Sequence, residues 1–578
     1  MHSNDLSSPR RLESFRLPSD KVWKDTSAQE CFGSYLDDNP LSGNSNQRRG
    51  PIALNASGTY HNDITVGALG VSHASGRKEQ FSGRRQTWPG ALFLILMILS
   101  AAGAITYFGI QTFLRARDQH DLSARMTGSM FKAKKITPTK VCAMPNYVTS
   151  NGKIYITYGT EEREFIVQGV NWSGMENIEG VPHGLAYKQS NIDDIAEKLA
   201  KHKINAVRLP INAEMVITNS APNLKSFVNM FQSPELNVPT YMEMIQKVIQ
   251  SLAKKQIAVL IDIHKVNPDY KGVTSEPLWY SAETPMAAMM KMYETLATEL
   301  CNSLHYNVMG VDIKNEPIGG CWPKSDADVT CPEKKNWPRA VERIGNAILK
   351  KCPNWMIFAE GLFAEKVPFK ANNKNVTYSD WYGISLQNES ANPIELSMSN
   401  KLVYAPHFYS PSLYPTSYFF AEQKTNPDGS IDFVEYENTP AGDAALQNAI
   451  KTVLNTAFGG ILKEKKVPVL FGEFGGIYGL KETLPGKTST RSLDYVMQYA
   501  KQFGMVGGFL WAVNPDGEYT FNAAYTPKNV IRYGAYKDSD WKDVHEDLMK
   551  ALQNLRGSGP VPCFTSSNKK SNLTRVAI

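Results

Sequence analysis

Two glutamates at the ends of apolar segments are the residues of this chain best suited to chemistry. Glu316 closely follows the run 308–313, and Glu473 directly follows the run 467–472. An apolar run rich in Val and Ile indicates a buried strand, and Pro317 cannot continue the strand's hydrogen-bond ladder. Two carboxyl groups that face each other across a cleft can hydrolyse a glycosidic bond. One protonates the leaving oxygen, and the other attacks the anomeric carbon or activates water.

Other polar and aromatic side chains lie at the ends of further apolar segments. They are Arg208, His264, Asn315, His407, Tyr409 and Trp511. Arg208 could hold Glu473 ionised, and the Asn315 amide could donate to a sugar hydroxyl. Trp511 offers a flat face on which a sugar could stack. Their joint placement, more than any single residue, indicates one shared site at the carboxyl ends of parallel strands.

The segments that must position these residues alternate between strand-like and helix-like patterns. The strands are predicted at 165–171, 204–210, 257–263, 308–313, 355–360, 402–408, 467–472 and 505–511. Repeated alternation implies a parallel sheet, and eight such strands predict an α/β fold of the (β/α)8 TIM-barrel type with long insertions. The rival is an open doubly wound sheet, but no Gly-x-Gly-x-x-Gly follows the first strand.

The part of the chain before the barrel has a different composition. Residues 1–87 are rich in Ser, Asn, Gly and Arg, and we expect them to be disordered and cytoplasmic. Residues 88–114 carry no charge and are long enough for one transmembrane helix. A stalk is predicted at 115–144, the barrel at 145–563 and a tail at 564–578. No cleavable signal peptide of the usual layout is expected.

Cysteine usage favours one orientation of this membrane anchor. Cys31 stands alone before the predicted span, whereas six cysteines follow it. That distribution fits a type II protein whose barrel lies outside the cytosol, on the luminal or extracellular side. Sequons begin at Asn375, Asn388 and Asn572 and are compatible with this side. The expected disulfide pairs are Cys321 with Cys331, Cys301 with Cys352, and Cys142 with Cys563.

Composition and motifs argue against several classes of partner. The net charge of +6 is small for 578 residues and is spread along the chain, so no nucleic-acid partner is expected. No His or Cys cluster has zinc-ligand spacing, and no phosphate-binding loop is present, so neither a metal nor a cofactor is expected.

Several of these segments together resemble glycoside hydrolase family 5. They are Arg208, the segment 262–264, Asn315-Glu316-Pro317, the segments 404–409 and 472–475, and Trp511. The segments 169–174, 183–185 and 511–516 resemble the family's cellulase branch. The resemblance covers about residues 146–555. It implies a retaining double displacement on a β-linked polysaccharide or oligosaccharide, most simply endo-β-1,4-glucan.

The resemblance also implies individual roles. Glu316 would be the general acid/base and Glu473 the nucleophile, with Arg208 and Tyr409 orienting Glu473. Asn315 would bind the sugar 2-hydroxyl. His264, His407 and Trp511 would shape the subsite at the scissile bond. Trp381 and Tyr382 would form an aromatic wall.

Two physical expectations accompany these roles. In a retaining enzyme the carboxyl groups of Glu316 and Glu473 should be about 5 Å apart, whereas a separation of about 9 Å would indicate inversion. The pKa of Glu316 should be raised, and that of Glu473, beside Arg208, should be low.

Three alternatives stay open. The same chemistry could act on β-1,3-glucan, β-mannan or a glycolipid glucoside, because loops set specificity. The barrel could instead be a non-catalytic carbohydrate-binding membrane receptor. Finally, the N-terminal segment could be the functional part, in sorting or partner binding.

Overall fold

A computed structural model describes residues 142–565, except 188–189, 268–277, 326, 364, 426, 428–430, 483, 516 and 520–530. The predicted disordered segment 1–87 and the predicted transmembrane helix 88–114 lie outside the described residues. So do nearly all of the predicted stalk and tail. Among the described residues, no helix has both the length and the apolar character needed to cross a bilayer.

The strands of the described chain belong to one central sheet and several small antiparallel ones. In chain order they are β1 (Asn146–Ser150), β2 (Lys153–Tyr158), β3 (Glu161–Glu164), β4 (Val167–Asn171), β5 (Ala206–Asn212), β6 (Ala258–Lys265), β7 (Val308–Asp312), β8 (Met356–Ala359), β9 (Val367–Ala371), β10 (Lys374–Tyr378), β11 (Leu402–Tyr404), β12 (His407–Tyr409), β13 (Phe420–Thr425), β14 (Ile431–Glu435), β15 (Phe471–Gly475), β16 (Gly507–Leu510), β17 (Gly517–Tyr519) and β18 (Ile531–Tyr533).

The central sheet is parallel and curls into a barrel of the TIM type. Its strand order is β11-β8-β7-β6-β5-β4-β16-β15-β12. The two ends of this order, β11 and β12, are separated only by Ala405 and Pro406. The Ala405 N–H donates to the Ala359 carbonyl oxygen at 2.9 Å, while the Pro406 carbonyl oxygen accepts from the Gly472 N–H at 3.0 Å. One interrupted strand therefore bonds to both edges, and each of the eight strands overlaps a predicted one. The strand predicted at 467–472 begins four residues later, at Phe471–Gly475.

Helices pack their apolar faces on the outside of the strands. They are α1 (Ile192–Lys201), α2 (Ala213–Thr218), α3 (Tyr241–Lys254), α4 (Met286–Leu300), α5 (Trp337–Lys351), α6 (Pro440–Glu464), α7 (Thr488–Phe503) and α8 (Glu546–Ala551). Polar side chains cap several N-termini by accepting a backbone N–H, as Asn191, Thr240 and Asn336 do. These caps fix where each helix begins relative to the strand before it.

Two features depart from eight regular strand–helix units. No helix is assigned among the described residues between β8 and β11, where β9 and β10 form an antiparallel hairpin instead. The meander β1–β3 was not predicted and packs at the N-terminal end of the barrel. There Tyr147, Ile154 and Phe165 join a buried cluster with barrel residues such as Leu260 and Phe358. Packing closes this end in the described part of the chain, so the functional site is expected at the opposite end, where the strands have their carboxyl termini.

The three predicted disulfide pairs are the three that the structure forms. Cys321 bonds to Cys331 in the loop after β7, and Cys301 bonds to Cys352 at the ends of α4 and α5. Cys142 bonds to Cys563 across a sequence separation of 421 residues. The last pair joins the two ends of the described chain beside the β1–β3 meander.

Candidate active site

The two glutamates singled out in the sequence meet at the carboxyl ends of the barrel strands. Glu316 follows β7, and Glu473 lies in β15 opposite His407 of β12. Each glutamate is only 3% exposed. One carboxylate oxygen of Glu316 and one of Glu473 lie within 4.8 Å of each other. This separation fits the retaining geometry and is shorter than the roughly 6.5–9.5 Å that leaves room for a water in inverting enzymes.

The Arg208 guanidinium on β5 lies beneath this pair and is fully buried. It donates to the side-chain oxygens of five residues: Glu473 at 2.6 Å, and Asp312, Glu360, Asn171 and Asn315, each at 3.0 Å. It also forms an ion pair with Asp262, with 3.0 Å between Nη2 and Oδ1. Burial alone would lower the pKa of Arg208, but the surrounding carboxylates hold it well above its ordinary value. One cation therefore organises the ends of several strands at once.

Glu473 is held from two sides. Its Oε1 accepts from Arg208, and its Oε2 accepts from the Tyr409 hydroxyl. The Trp381 ring packs against Tyr409 with 5.7 Å between ring centroids and is 7% exposed. Trp381 therefore buttresses Tyr409 and presents little free surface, while the neighbouring Tyr382 is half-buried against Phe363.

His407 lies between the two glutamates. Its Nδ1 is 3.2 Å from Glu316 Oε1 and 3.6 Å from Glu473 Oε2, and its Nε2 is 3.0 Å from Glu360 Oε1. Burial alone would lower the pKa of His407, but the negative charges of Glu360 and Glu473 raise it well above its usual range. These contacts favour the imidazolium form of His407.

Asn315, His264 and Trp511 surround the same space. Asn315 Oδ1 accepts from Arg208, which turns the amide so that its NH2 group faces away. His264 Nδ1 is 2.7 Å from Asp262 Oδ2, and burial lowers the pKa of His264 to about 3, so the ring is neutral. It stacks on Trp511 with 5.4 Å between centroids. Trp511 is 4% exposed, so it presents little free surface to a sugar.

The pKa shifts of the two glutamates are the reverse of those expected from the sequence. Burial alone would raise the pKa of Glu316, but the hydrogen bond and positive charge of His407 lower it. The pKa of Glu473 is raised, because burial outweighs the attraction of His407 and Arg208. From the sequence, Glu473 is the one carboxylate expected to pair with Arg208. In the structure, four carboxylates share that cation, so each gains less from it.

Several site residues have no assigned role in the sequence analysis. Glu360 and Asp312 are fully buried carboxylates on Arg208, and Asn171 of β4 accepts from its Nη1. The buried Lys314 donates to the backbone oxygens of His264 and Asn315. All four lie at the ends of predicted strands, and that placement is the signal that could have identified them.

Glu316, His407 and Glu473 also have the donor types of a metal site, with one ligand atom of each within 4.8 Å of the others. The contacts of these side chains with one another, with Arg208 and with Tyr409 account for their positions without an ion. We therefore assign no metal to the cluster. The expectation that the reaction needs no metal or cofactor stays a prediction.

Comparison with known proteins places the chain among carbohydrate hydrolases. Residues 162–517 match the family model described as "Cellulase (glycosyl hydrolase family 5)". The chain is 28% identical to an endoglucanase of Paenibacillus polymyxa over 371 residues, covering 64% of this chain and 80% of that protein. It is 26% identical to the major extracellular endoglucanase of Xanthomonas campestris, covering 68% of each. An endocellulase of Pyrococcus horikoshii, solved in complex with cellotetraose, is similar with a TM-score of 0.55 and 27% identity, covering 72% of this chain and 99% of that one.

Proposed function

The chain belongs to the cellulase family, glycosyl hydrolase family 5, and on that premise we propose that it cleaves internal β-1,4 bonds of a glucan by retaining double displacement. It is a glycosidase. The observation that carries the mechanism is the pair of buried carboxyl groups, Glu316 and Glu473, whose oxygens approach within 4.8 Å at the carboxyl-terminal side of the barrel strands. A non-catalytic receptor would not require this pair, so we favour the enzyme.

In the first step Glu473 attacks the anomeric carbon while Glu316 protonates the glycosidic oxygen. The bond from the anomeric carbon to the leaving sugar breaks, and a bond to Glu473 forms. In the second step Glu316 takes a proton from water, whose oxygen attacks the same carbon and releases Glu473. One water is consumed, and two inversions restore the β configuration.

The reaction needs one proton on the pair, located on Glu316. Because the two carboxyl groups are close and buried, their mutual repulsion favours a singly protonated pair. In this arrangement Glu473 binds a proton more readily than Glu316, because the pKa of Glu473 is raised and that of Glu316 is lowered. Moving it to Glu316 leaves the net charge of the pair unchanged. A glycosidic oxygen beside Glu316 and an anomeric carbon beside Glu473 favour that arrangement, so substrate binding selects the reactive form.

The substrate assignment rests on the relatives, which are named endoglucanases, and on the solved endocellulase with cellotetraose. We expect the full-length protein to release β-configured cello-oligosaccharides from a soluble β-1,4-glucan, as followed by proton NMR of the first-formed anomer. The Glu316→Gln variant is the negative control, because it lacks the carboxyl group that protonates the leaving oxygen. An α-configured first product would exclude retention. Faster turnover of β-1,3-glucan, β-mannan or glucosylceramide in the same panel would replace the β-1,4 assignment.

We propose that the chain is a type II membrane protein whose barrel lies on the oxidising, luminal or extracellular, side of the membrane. Its support is the uncharged segment 88–114 and the three disulfides of the barrel. Deleting residues 1–87 and finding unchanged localisation would argue against a sorting role for that segment. Recovery of the full chain in the soluble fraction, without cleavage, would contradict the anchor.

Two of the sequons differ in accessibility, and this gives a test of the orientation. Asn375 and Thr377 are exposed on β10, whereas the Asn388 side chain is partly buried and donates to the Trp322 carbonyl oxygen at 3.2 Å. Because a bulky glycan must project into solvent from the folded protein, we expect an N-glycan on Asn375 and not on Asn388. Peptide mapping with and without glycosidase treatment measures both. An Asn375→Gln chain that loses no mass, or an unmodified Asn375, would contradict the luminal orientation.

A further inference from the structure

A further buried carboxylate, that of Glu360, contacts both the backbone and the imidazole beside the catalytic pair. Glu360 directly follows β8, which neighbours β7 in the barrel. Its Oε2 accepts the backbone N–H of Glu316 at 2.8 Å. Its Oε1 accepts from Arg208 at 3.0 Å and lies 3.0 Å from His407 Nε2. The double displacement described above assigns this side chain no step.

We propose that Glu360 is a positioning residue of the reaction, which holds the backbone of the acid/base Glu316 and fixes the His407 ring between the two catalytic carboxyl groups. The inference rests on the proposed roles of Glu316 and Glu473. In this role Glu360 does not touch the substrate, but it sets both the position and the proton affinity of the Glu316 carboxyl group, which does.

The backbone at Glu316 is in an unusual conformation. Its φ is +48°, in the left-handed region that non-glycine residues seldom adopt. The bond from its N–H to Glu360 directly restrains this conformation. Space for the acceptor depends on Gly383, where a Cβ atom would lie 2.5 Å from Glu360 Oε2. The loop after β10 is thus shaped to admit the carboxylate.

The charge of Glu360 acts through His407. The titratable groups that face His407 are Glu316, Glu360 and Glu473, with Arg208, Asp262 and Asp312 around them. Glu316 in turn is faced by His264, Lys314 and Tyr382 as well. Of the carboxylates in this set, Glu360 is the one that contacts both the Glu316 backbone and His407. Removing its charge should therefore affect His407 more than removing any other supporting carboxylate.

The Glu360→Gln variant tests the proposal by kinetics. An amide has one acceptor and one donor end, so it cannot accept the Glu316 N–H with one end and also present an acceptor to Arg208 and His407 with the other. Misplacement of Glu316 is expected to lower kcat about 100-fold with KM changed little. Without the negative charge, His407 loses its proton more easily and no longer stabilises ionised Glu316. The pKa of Glu316 then rises, and the alkaline limb of kcat/KM moves to higher pH.

Two variants separate this role from a merely structural one. Asp312→Asn removes a carboxylate from Arg208 Nε without touching Glu316 or His407, and its alkaline limb should stay in place. Glu360→Asp keeps the charge, so kcat falls while the limb stays. If Glu360→Gln does not fold, Glu360→Asp is the variant used for the kinetic test. Any of three results would overturn the proposal. The first is that Glu360→Gln loses activity equally at all pH values, with the alkaline limb of kcat/KM unmoved. The others are an equal shift of that limb in Asp312→Asn, or wild-type kcat in Glu360→Asp.

Histidine NMR gives a readout that needs no turnover. The chain has ten histidines, and a His407→Gln variant identifies the signal of interest. We expect an imidazolium at pH 7 in the wild-type protein and a neutral ring in Glu360→Gln. The same protonation state in both would overturn the role of the charge. Wild-type protein that is inactive on every β-glycan would instead overturn the proposed function, so the two failures are distinguishable.

Discussion

Replacing Glu473 by Ala is expected to lower kcat on a β-1,4-glucan by a factor on the order of 10⁴ or more, because the group that attacks the anomeric carbon is lost. Arg208 and Tyr409 would still be in place but would have no carboxylate to orient. The fold should survive, since the site lies at the open end of the barrel. Steady-state hydrolysis and circular dichroism of the same preparation measure both.

Chemical rescue makes this prediction specific to the nucleophile. With an aryl cellobioside, azide can enter the space left by the Glu473 carboxylate, form a bond to the anomeric carbon and displace the aryl group. We expect an α-glycosyl azide, identified by NMR. A β-glycosyl azide would give Glu473 the acid/base role instead. Glu294→Ala, at an exposed position on α4, is the control and should keep wild-type activity.

The positions of the two glutamates could be predicted from sequence because each depends on a local pattern. An apolar run that ends in a carboxylate specifies a strand end, and parallel strands in a barrel bring all such ends to one rim. The same reasoning applied to Arg208 and His407. The meander β1–β3 was missed because its strands are short, and the run 161–164 is entirely charged or polar in sequence.

The electrostatics of the site could not be predicted in this way. Which carboxylates share Arg208 depends on how the curvature of the barrel brings β6, β7, β8 and β15 around one guanidinium. A sequence shows Arg208 and Glu473 as candidates for a pair but does not show the other acceptors. The resulting pKa directions depend on the sum over all of these charges, so they emerge only once the coordinates are known.

Arg208 should therefore matter for stability as well as for orienting Glu473. In Arg208→Met, the carboxylates of Asp262, Asp312, Glu360 and Glu473 lose their common buried cation. We expect a loss of about 3–5 kcal/mol in the free energy of unfolding at neutral pH, the range found when one partner of a buried ion pair is removed. Urea denaturation followed by tryptophan fluorescence measures the difference from wild type.

The loss in Arg208→Met should depend on pH in a direction that can be derived. Burial already raises the pKa of Asp262 to about 6 and that of Asp312 well above its ordinary value, while Arg208 opposes both shifts. Without Arg208 these pKa values rise further above those of the unfolded chain. A carboxyl group with a raised folded-state pKa stabilises the fold only while it stays protonated, and that contribution is lost as pH rises. The deficit should therefore be larger at pH 8 than at pH 5.

A second arginine provides the control for this prediction. Arg339 is exposed on α5 and pairs with Glu342 at 2.9 Å, so Arg339→Met should cost less than about 1 kcal/mol at both pH values. Arg208→Lys keeps the positive charge but cannot donate in several directions at once. Its loss in the free energy of unfolding should be smaller than that of Arg208→Met and should increase less between pH 5 and pH 8. A deficit in Arg208→Met that is equal at pH 5 and pH 8 would mean that the carboxylates do not depend on this cation for their ionisation. The buried charge cluster would then owe its stability to packing and neutral hydrogen bonds.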